Sequence, residues 1–525
     1  MKNNNYSILI FGVFLIIATS CKKDKTLWDA DLTVPIIQTS LTINNIIADS
    51  LLTTDANNHL WIEYHNQLLN YNIDSIIDLP DTVTSYSLTA SGSGSLPAGQ
   101  TIASNNDIKS FAFEPAKITQ VDITDGYLVF TCFNPLMVPL VVTYSIPAAK
   151  QYGTPFLLQE IIPASNGSSP YAYTKKIDLR DYSIDMRGPS FDNCNRFATS
   201  LNITTSPDHG TSQVIAGQQF VFFTSFEGLH LKYVKGYLGN DTQSSGPDTT
   251  TVDFLRRISS GTFGLSSVDV ALNITNSIGA DIRLIPQMLI SNNTRSHQSV
   301  ALSGDIIGKS YNITRASQTN QSTNPVRPTS TTIQFNNTNI KALIENLPDQ
   351  FIFKSSIQTN PMGNISCGND FVYAGNGLKA DLKIKIPLSF KANTLVLSDT
   401  IDYNIDQNES PINNGTLMLL ISNSFPVAVK IKLYTLNNNL QIIDEITAPN
   451  QLVNAGYENT SHSPIPISSS IKISLPEATL KRFLASKKLL LVAELNTTNT
   501  NYVNINSGAT IQVKIIGSFN TNLNY

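Results

Sequence analysis

The chain has 525 residues, a net charge of −4, and 14% charged against 41% hydrophobic residues. Its length suggests several domains, and its composition is that of a globular chain, since disordered chains carry fewer apolar residues. The near-neutral charge, without a basic cluster among aromatic residues, excludes the usual electrostatic footprint of a nucleic-acid-binding protein.

The first element is an export signal. Lys2 precedes an apolar run at residues 8–17 and the sequence Ala18-Thr19-Ser20-Cys21, the three regions of a secretory signal peptide. The run is shorter than the roughly 20 residues that span a bilayer. Because bacterial lipoproteins are acylated on a cysteine after small residues, we predict a signal peptide at 1–20, lipidation of Cys21 and a tether at 21–25. The alternative is an ordinary cleaved signal beside an unrelated cysteine.

The Cys-Lys-Lys-Asp opening at residues 21–24 and the Asn-, Ile- and Thr-rich composition resemble outer-membrane lipoproteins of the Bacteroidetes type. The resemblance implies acyl chains such as palmitate on Cys21 and an outer-membrane location. No Asp follows the cysteine directly, which argues against retention in the inner membrane. The tether is mainly basic, whereas an acidic stretch marks surface display in that group, so we expect the periplasmic face.

Residues 26–110 form an N-terminal β-rich section with a predicted hairpin of residues 51–54 and 60–64. The sequence leaves open whether this section is its own domain or completes the repeat that follows. On a strand, His59, Trp61, Glu63 and His65 would share one face that could bind a divalent metal. The two histidines would lie about 20 Å apart at strand rise, so we predict a half-exposed polar face, with no metal and no cofactor.

The rest of the chain consists of three tandem β repeats at 111–255, 256–403 and 404–525. Each has an alternating strand that runs into Asn134, Asn276 or Asn423, and a second alternating strand follows. Apolar residues recur in each repeat two, four and six positions before that Asn and four, six and eight positions after it. This register predicts a hairpin with one buried face. Asn suits the turn because it tolerates left-handed backbone and bonds its own main chain.

A second recurring piece is a strand that leads into a short helix. Pro476 and Glu477 open this helix in the last repeat. Residues 340–347 form it in the middle repeat, and residues 177–184 keep a reduced version in the first. The predicted fold class is therefore mainly β, with three tandem β-sandwich-like repeats, each with a short helix, plus the N-terminal section.

The strand, Asn134-Pro135 and strand of residues 129–140 resemble the core of late-embryogenesis-abundant type 2 (WHy) β-sandwich domains. The later copies have Asn276-Ser277 and Asn423-Ser424, so they lack the proline. The combination of strands with one helix also resembles the lipid-binding tubular (TULIP) domains. Both resemblances imply a fold and leave the function open.

The cysteines after Cys21 suggest structure more than chemistry. Cys132 occupies the register position of Ile274 and Ile421, which predicts a buried, inert thiol. Cys194 and Cys367 lie in predicted loops of different repeats. An exported chain could pair them in a disulfide that joins the first two repeats, or leave two free thiols.

Motifs of catalysis are missing from the sequence, and we expect a protein that is not an enzyme. It contains no Gly-rich phosphate loop, no Gly-x-Ser-x-Gly elbow and no His-Glu-x-x-His pair. One short pattern, Asp-Ser/Thr before an apolar residue or Thr, resembles the O-glycosylation site of exported Bacteroidetes proteins. It predicts modification at Ser50, Ser75, Thr82, Thr249 and Thr400.

Three functions fit these features. The first is a structural or interaction module at the outer membrane that engages envelope proteins through strand edges and loops. The second is a carrier of lipid or another hydrophobic ligand, which needs an apolar cavity of roughly several hundred Å³. The third is capture of glycans at the surface, for which Trp28 and Trp61 are the only tryptophans. We favour the first function.

Overall fold

The alternating patterns of the sequence form antiparallel β-strands. Strands account for 61% of the chain and helices for 5%, which confirms the predicted mainly β fold class. The computed structural model describes residues 27–72, 77, 81–255, 258, 262–321, 323–405, 412–446, 452–497 and 501–524. The predicted signal peptide, Cys21, the tether and Ser75 lie outside these described residues.

The first half of the chain contains short and long strands in the following order. The N-terminal strands are β1 (Leu27–Leu41), β2 (Leu52–Thr54), β3 (Leu60–Asn72), β4 (Thr82–Thr89), β5 (Gly94–Leu96) and β6 (Thr101–Ser110), with 3₁₀ turns at Ile43–Asn45 and Asp49–Leu51. The next are β7 (Lys117–Asn134), β8 (Leu140–Gln151), β9 (Thr154–Ile162), β10 (Tyr171–Asp178), β11 (Tyr182–Asp185), β12 (Arg196–Thr205), β13 (Ser212–Val214) and β14 (Gln219–Tyr237).

The second half repeats this succession and adds two helices. It begins with β15 (Thr242–Thr251), β16 (Thr262–Leu265), β17 (Asp269–Asn276), β18 (Ile282–Asn293), β19 (Gln298–Ala301), β20 (Tyr311–Ile313), β21 (Ser317–Gln318), β22 (Val326–Arg327), β23 (Thr329–Gln334), α1 (Ile340–Glu345), β24 (Gln350–Thr359), β25 (Asp370–Tyr373) and β26 (Gly377–Pro387). It ends with β27 (Ser389–Asn393), β28 (Leu395–Asp402), β29 (Ile412–Asn423), β30 (Ala428–Leu436), β31 (Ile442–Glu445), β32 (Leu452–Val453), β33 (Tyr457–Glu458), β34 (Pro464–Ile465), β35 (Ile467–Leu475), α2 (Glu477–Ala485), β36 (Lys488–Asn496), β37 (Val503–Asn504) and β38 (Ile511–Asn524).

Within the described residues, each repeat contains the same pair of antiparallel strand successions. The third repeat has the orders β1-β38-β29-β35 and β28-β36-β30-β31. The second has β3-β26-β17-β23 and β15-β24-β18-β19, and the first has β4-β14-β7-β10 and β6-β12-β8-β9. In the first repeat β11 pairs with both β7 and β8 and thereby joins the two sheets.

The strands of the N-terminal section are shared among all three repeats. β1 pairs with the last strand, β38, while β3 pairs with β26 and β4 with β14. Residues 26–110 are thus neither a separate domain nor part of the first repeat alone, which corrects both of the alternatives that the sequence left open. The reason is that a period-two pattern fixes which face of a strand is buried but not which strand it pairs with.

The predicted burial register is confirmed in all three repeats, but the predicted hairpins are wrong, because the described strands before and after each Asn do not pair with each other. The apolar positions counted from Asn134, Asn276 and Asn423 are buried, except for Val138, which is half-buried. The two strands that flank each Asn lie in different sheets of the repeat, so their inner faces line one core between the sheets.

Each of the three turn asparagines is itself fully buried and makes the same three hydrogen bonds. The side-chain oxygen of Asn276 accepts from the Ile278 N–H at 2.9 Å, and its amide donates to the Ala280 and Thr314 carbonyls at 3.1 and 3.0 Å. Asn134 and Asn423 bond the equivalent main-chain groups, two, four and about thirty residues further along. We call this arrangement the asparagine clip.

In the second and third repeats, the residue after the clip asparagine donates a main-chain hydrogen bond that a proline could not make. The Ser277 N–H donates to the Gly377 carbonyl at 2.9 Å, and the Ser424 N–H donates to the Thr510 carbonyl at 2.9 Å. Each bond ties the turn to the start of the last strand of its own repeat. Proline has no N–H, so Pro135 cannot make this bond in the first repeat.

The two helices connect β23 to β24 and β35 to β36, as the sequence predicts for the second and third repeats. Leu480 and Phe483 of α2 are buried, as are Leu343 and Ile344 of α1. The expected reduced helix in the first repeat is wrong, because residues 171–185 form strands β10 and β11 there. Among the described residues, no helix is long and apolar enough to cross a membrane.

We predict that Asn276→Leu lowers the free energy of unfolding of the second repeat by about 2 kcal/mol or more. Leucine fills a similar volume but leaves the Ile278 N–H and the Ala280 carbonyl without the partner that Asn276 supplies, at about 1–3 kcal/mol each. The Thr314 carbonyl, in contrast, keeps the Thr329 hydroxyl. Urea unfolding followed by Trp61 fluorescence in a Trp28→Phe background reports on this repeat, because Trp61 lies in β3. The control is Asn273→Thr on the outer face of the same strand, expected within about 0.5 kcal/mol of the parent. Equal effects of the two substitutions would contradict the role of the clip.

Candidate functional site

A groove of about 900 Å³ lies along the first repeat and is closed at one side by Gly368 and Asn369 of the second repeat. Ligand sites in proteins commonly have volumes of about 300–1,000 Å³. The aromatic and charged side chains that line the groove are Lys150, Tyr152, Asp181, Asp185, Arg187, Phe191 and Lys235. We call it the aromatic groove.

Tyr152 stands at the tip of the β8–β9 hairpin, where it is 85% exposed. Tyr152 and Gly153 form the two-residue turn with φ values of 49° and 88°. Two left-handed residues in succession are typical of the type I′ hairpin turn, which favours Asn-Gly. A tyrosine is costly in this backbone region. Strain of this kind concentrates at functional sites, so the displayed ring is a candidate ligand contact.

Phe191 is a second bulky aromatic residue with left-handed backbone, at φ 59°, and it is 62% exposed. Its N–H donates to the Gly188 carbonyl at 3.2 Å, which closes a tight turn. The guanidinium carbon of Arg187 lies 5.1 Å from the centre of the phenyl ring, a cation–π distance.

Asp185 fixes Arg187 against this ring. The Arg187 Nε donates to Asp185 Oδ1 at 3.0 Å and its Nη2 donates to Oδ2 at 2.6 Å. Two parallel bonds of this kind hold a guanidinium in one orientation. The hydrogen bonds from Arg187 also hold the pKa of Asp185 below its ordinary value, so the pair remains charged in mildly acidic solution.

The other carboxylate of the groove interacts with Tyr152. The Tyr152 hydroxyl donates to Asp181 Oδ2 at 3.0 Å, and this bond raises the pKa of the tyrosine. The lining carries three basic and two acidic groups, namely Lys150, Arg187 and Lys235 with Asp181 and Asp185. Charges of both signs are thus nearly balanced, which suits a ligand without strong net charge.

The wall contributed by the second repeat is held by a buried carboxylate. Asp370 is fully buried, and its Oδ1 accepts from Arg315 Nη2 at 3.0 Å. Its Oδ2 accepts from the Leu238 N–H at 3.0 Å and from the Asn360 side chain at 2.7 Å. Leu238 follows β14 of the first repeat, so Asp370 joins the two repeats beside the groove.

The cysteines lie close to the groove in sequence but are not paired. Cys194 is half-buried and follows Phe191 by three residues, whereas Cys367 is exposed and precedes Gly368. Both are free thiols in this structure, and the disulfide between them stays a prediction. Cys132 is fully buried, as its register position predicts, and burial raises the pKa of its thiol to about 12.

The predicted glycosylation positions differ in their surroundings. Ser50, Thr249 and Thr400 are exposed. Thr249 and Thr400 lie on β15 and β28, the equivalent edge strands of two repeats. Thr82 begins β4, and Ser75 lies outside the described residues. Exposure is required for modification but does not test it, so these sites stay predictions.

The predicted polar face of β3 contains three of its four expected residues. Glu63 pairs with Lys385 at 2.9 Å, the Lys385 ammonium lies 5.3 Å from the centre of the Trp61 ring, and His65 is exposed. His59 differs, because it precedes the first residue of β3. Its ring contacts the carboxylates of Asp55 and Glu458.

Sequence reasoning missed Tyr152, Phe191 and Arg187. The Tyr152-Gly153 dipeptide between two alternating strands is a hairpin signal, and Gly188-Pro189 before Phe191 is a turn signal. A bulky aromatic residue inside either turn could have marked the site, since turns favour small and polar residues.

Comparison with known proteins leaves the family open. No family model matches the chain, and no curated protein matches it. A solved structure from Parabacteroides distasonis, provisionally described as a secreted protein, is similar at 12% identity and a TM-score of 0.28, covering 53% of this chain and 82% of that chain. Infectious bursal disease virus VP2 in T=1 particles is similar at 10% identity and a TM-score of 0.09, covering 91% of this chain and 80% of that chain. Likenesses this low carry no functional argument, and the WHy and TULIP resemblances stay predictions.

We predict that iodoacetamide at pH 8 labels Cys367 in the native protein and leaves Cys132 unlabelled until the protein is unfolded. The thiolate is the reactive form, and burial keeps Cys132 protonated. Peptide mass spectrometry of a chain without Cys21 measures the labelling of each cysteine. A peptide that joins Cys194 to Cys367 in samples prepared without reductant would show the disulfide that this structure lacks.

Proposed function

We propose that the chain is a non-enzymatic protein, anchored by lipid on Cys21 at the outer membrane, that acts as an interaction module. The aromatic groove binds an extended segment of an envelope protein. The observation that carries the proposal is the display of Tyr152 and Phe191, each with left-handed backbone, on one groove of ligand-sized volume.

The chemistry of the groove favours a protein partner. Tyr and Arg are enriched among the residues that dominate binding energy at protein interfaces, and aromatic residues are enriched at interface cores. Asp185 already fixes Arg187, so little side-chain entropy is lost when a partner binds. The balanced charges suit a peptide segment that presents apolar and polar groups in alternation.

A surface glycan is the second candidate, and the same two exposed rings favour it. Sugars stack on aromatic faces, and the carboxylates of Asp181 and Asp185 can accept hydrogen bonds from sugar hydroxyls. A lipid carrier is less well supported. The pocket between the sheets of the first repeat, lined by Phe130 and Tyr144 among others, has a volume of about 50 Å³, which is too small for an acyl chain. The aromatic groove itself is lined by five charged side chains.

We expect the double variant Tyr152→Asn, Phe191→Asn to lose partner binding without losing stability. Truncating residues that dominate an interface costs about 2 kcal/mol or more each, which is a loss of affinity of at least roughly thirtyfold. Asn tolerates left-handed backbone, so the substitutions relieve strain in the two turns. A photo-reactive residue at Ala148, inside the groove, measures contact with envelope proteins in intact cells.

The control is Tyr171→Asn, an exposed tyrosine on β10 that does not line the groove. A protein crosslink that persists in this control and disappears in the double variant supports the protein partner. If no protein is crosslinked but polysaccharide retards the parent and not the double variant in a native gel, the glycan candidate replaces it. Crosslinking that is equal in parent and double variant contradicts the role of the groove.

Anchoring is tested separately from binding. We expect Cys21→Ser to move the protein from the membrane fraction to the soluble fraction and to abolish labelling by a palmitate analogue, because several acyl chains give a stable anchor. Fractionation of the native host measures the location of the protein, and detection of the analogue on the isolated protein measures its labelling. Unchanged fractionation of the variant would favour the alternative of an ordinary cleaved signal.

A further inference from the structure

Three side chains from distant parts of the chain converge at the junction of the second and third repeats. His59 lies in the loop between β2 and β3, whereas Glu458 and His462 lie on the small hairpin of β33 and β34. One nitrogen or oxygen from each residue comes within 4.8 Å of the others. The His59 Nε2 is 3.2 Å from one Glu458 oxygen, and the His462 Nδ1 is 2.9 Å from the other.

We propose that His59, Glu458 and His462 bind one zinc-like divalent cation that joins the second repeat to the third. Two imidazoles and one carboxylate are a zinc ligand set with a fourth position left for water. Zinc bonds to these atoms are about 2.0–2.2 Å long, which places tetrahedral ligand atoms about 3.3 Å apart. The two His-to-Glu separations of 3.2 and 2.9 Å end on different oxygens of Glu458, and one ligand atom from each residue lies within 4.8 Å of the others, so the three side chains already face one common point.

The loops hold these ligands in place through their own side chains. Asp55 Oδ1 accepts from the N–H groups of Asn57 and His59 at 2.8 and 2.9 Å. On the other loop, Asn459 Oδ1 accepts from the N–H groups of Ser461 and Ser463 at 3.0 and 2.9 Å. Both ligand loops are therefore ordered before any ion binds.

Main-chain bonds and one amide dock the two loops on the third repeat. The Leu60 N–H donates to the Ile505 carbonyl at 2.8 Å, and the Ser507 N–H donates to the Asn58 carbonyl at 2.9 Å. The Asn506 side chain donates to the His462 carbonyl at 2.6 Å. His462 has a φ of 54°, a left-handed backbone that this bond helps to maintain.

Asp55 also orients the His59 ring, from the side opposite Glu458. Its second oxygen lies 3.3 Å from the His59 Nδ1, while the Nε2 faces Glu458. A carboxylate that accepts the far N–H of a histidine is the usual outer partner of a metal-bound imidazole. With an ion present, the Nε2 lone pair would bind the metal while the Nδ1–H stays bonded to Asp55.

Solvent reaches the site, so an ion can enter. The side chains of Glu458 and His462 are 29% and 45% exposed, whereas that of His59 is 16% exposed. The alternative is a hydrogen-bonded cluster of the three side chains without a metal. The two arrangements differ in their response to zinc.

The experiment is a zinc titration of the untagged chain from residue 22 onward, stripped of metal, against a chromophoric zinc indicator at pH 7.5. We expect one zinc per chain in the parent. His462→Asn, which keeps a residue that tolerates left-handed backbone, should abolish that binding. Asp55→Asn keeps an oxygen for the loop N–H groups and should weaken zinc binding by about 10- to 100-fold. Zinc should raise the melting temperature of the parent and not that of His462→Asn.

The matched control is His209→Asn, an exposed histidine remote in sequence from the cluster, which should bind zinc like the parent. The proposal is overturned if the parent binds no zinc, or if His462→Asn and His209→Asn bind it equally well. A melting temperature that responds to zinc identically in parent and His462→Asn overturns the joining role.

Discussion

The asparagine clip is the interaction on which the repeat architecture depends. Side chains alternate across a strand, so a slip of one residue would turn the apolar face of a strand beside the clip toward solvent. A buried amide with partners at fixed distances along the chain makes such a slip expensive, because every partner would be lost at once. Asn134, Asn276 and Asn423 each satisfy the same three main-chain groups. Each therefore sets the register of its own sandwich.

The pairing of strands that lie far apart in the sequence limits the order in which the repeats can be completed. β1 pairs with β38, so the third repeat cannot be completed until the last strand is available. The first repeat takes all its principal strands from β4 to β14 and can close earlier. Pairings between strands so distant in sequence carry a high entropic cost of loop closure and fold slowly. A chain of this kind completes its fold only after all of it has reached one compartment.

The sequence pattern predicted those features of the fold that depend on interactions within a few residues. The alternation around each Asn predicted the buried faces of the flanking strands, and Pro476-Glu477 predicted the start of α2, because burial and capping act within a few residues. The alternation did not show that the two flanking strands enter different sheets. The partners of β1 and β3 were not predictable, since alternation carries no information about pairing. His59 and Glu458 are 399 residues apart, and nothing near either residue points to the other. Tyr152 and Phe191 were missed because their significance lies in a backbone conformation that their residue types disfavour.

The two candidate sites lie outside the sandwich interiors because apolar side chains occupy those interiors. Within each described sandwich the inward positions are occupied by apolar side chains packed into one core, and the pocket between the sheets of the first repeat is only about 50 Å³. Chemistry is then restricted to loops and to the contacts between repeats, where polar side chains can be held without being sealed from solvent. The aromatic groove uses the junction of the first and second repeats, and the His59, Glu458 and His462 cluster uses the junction of the second and third. A ligand at either junction contacts two repeats at once, so its binding is coupled to their relative placement even though neither core changes.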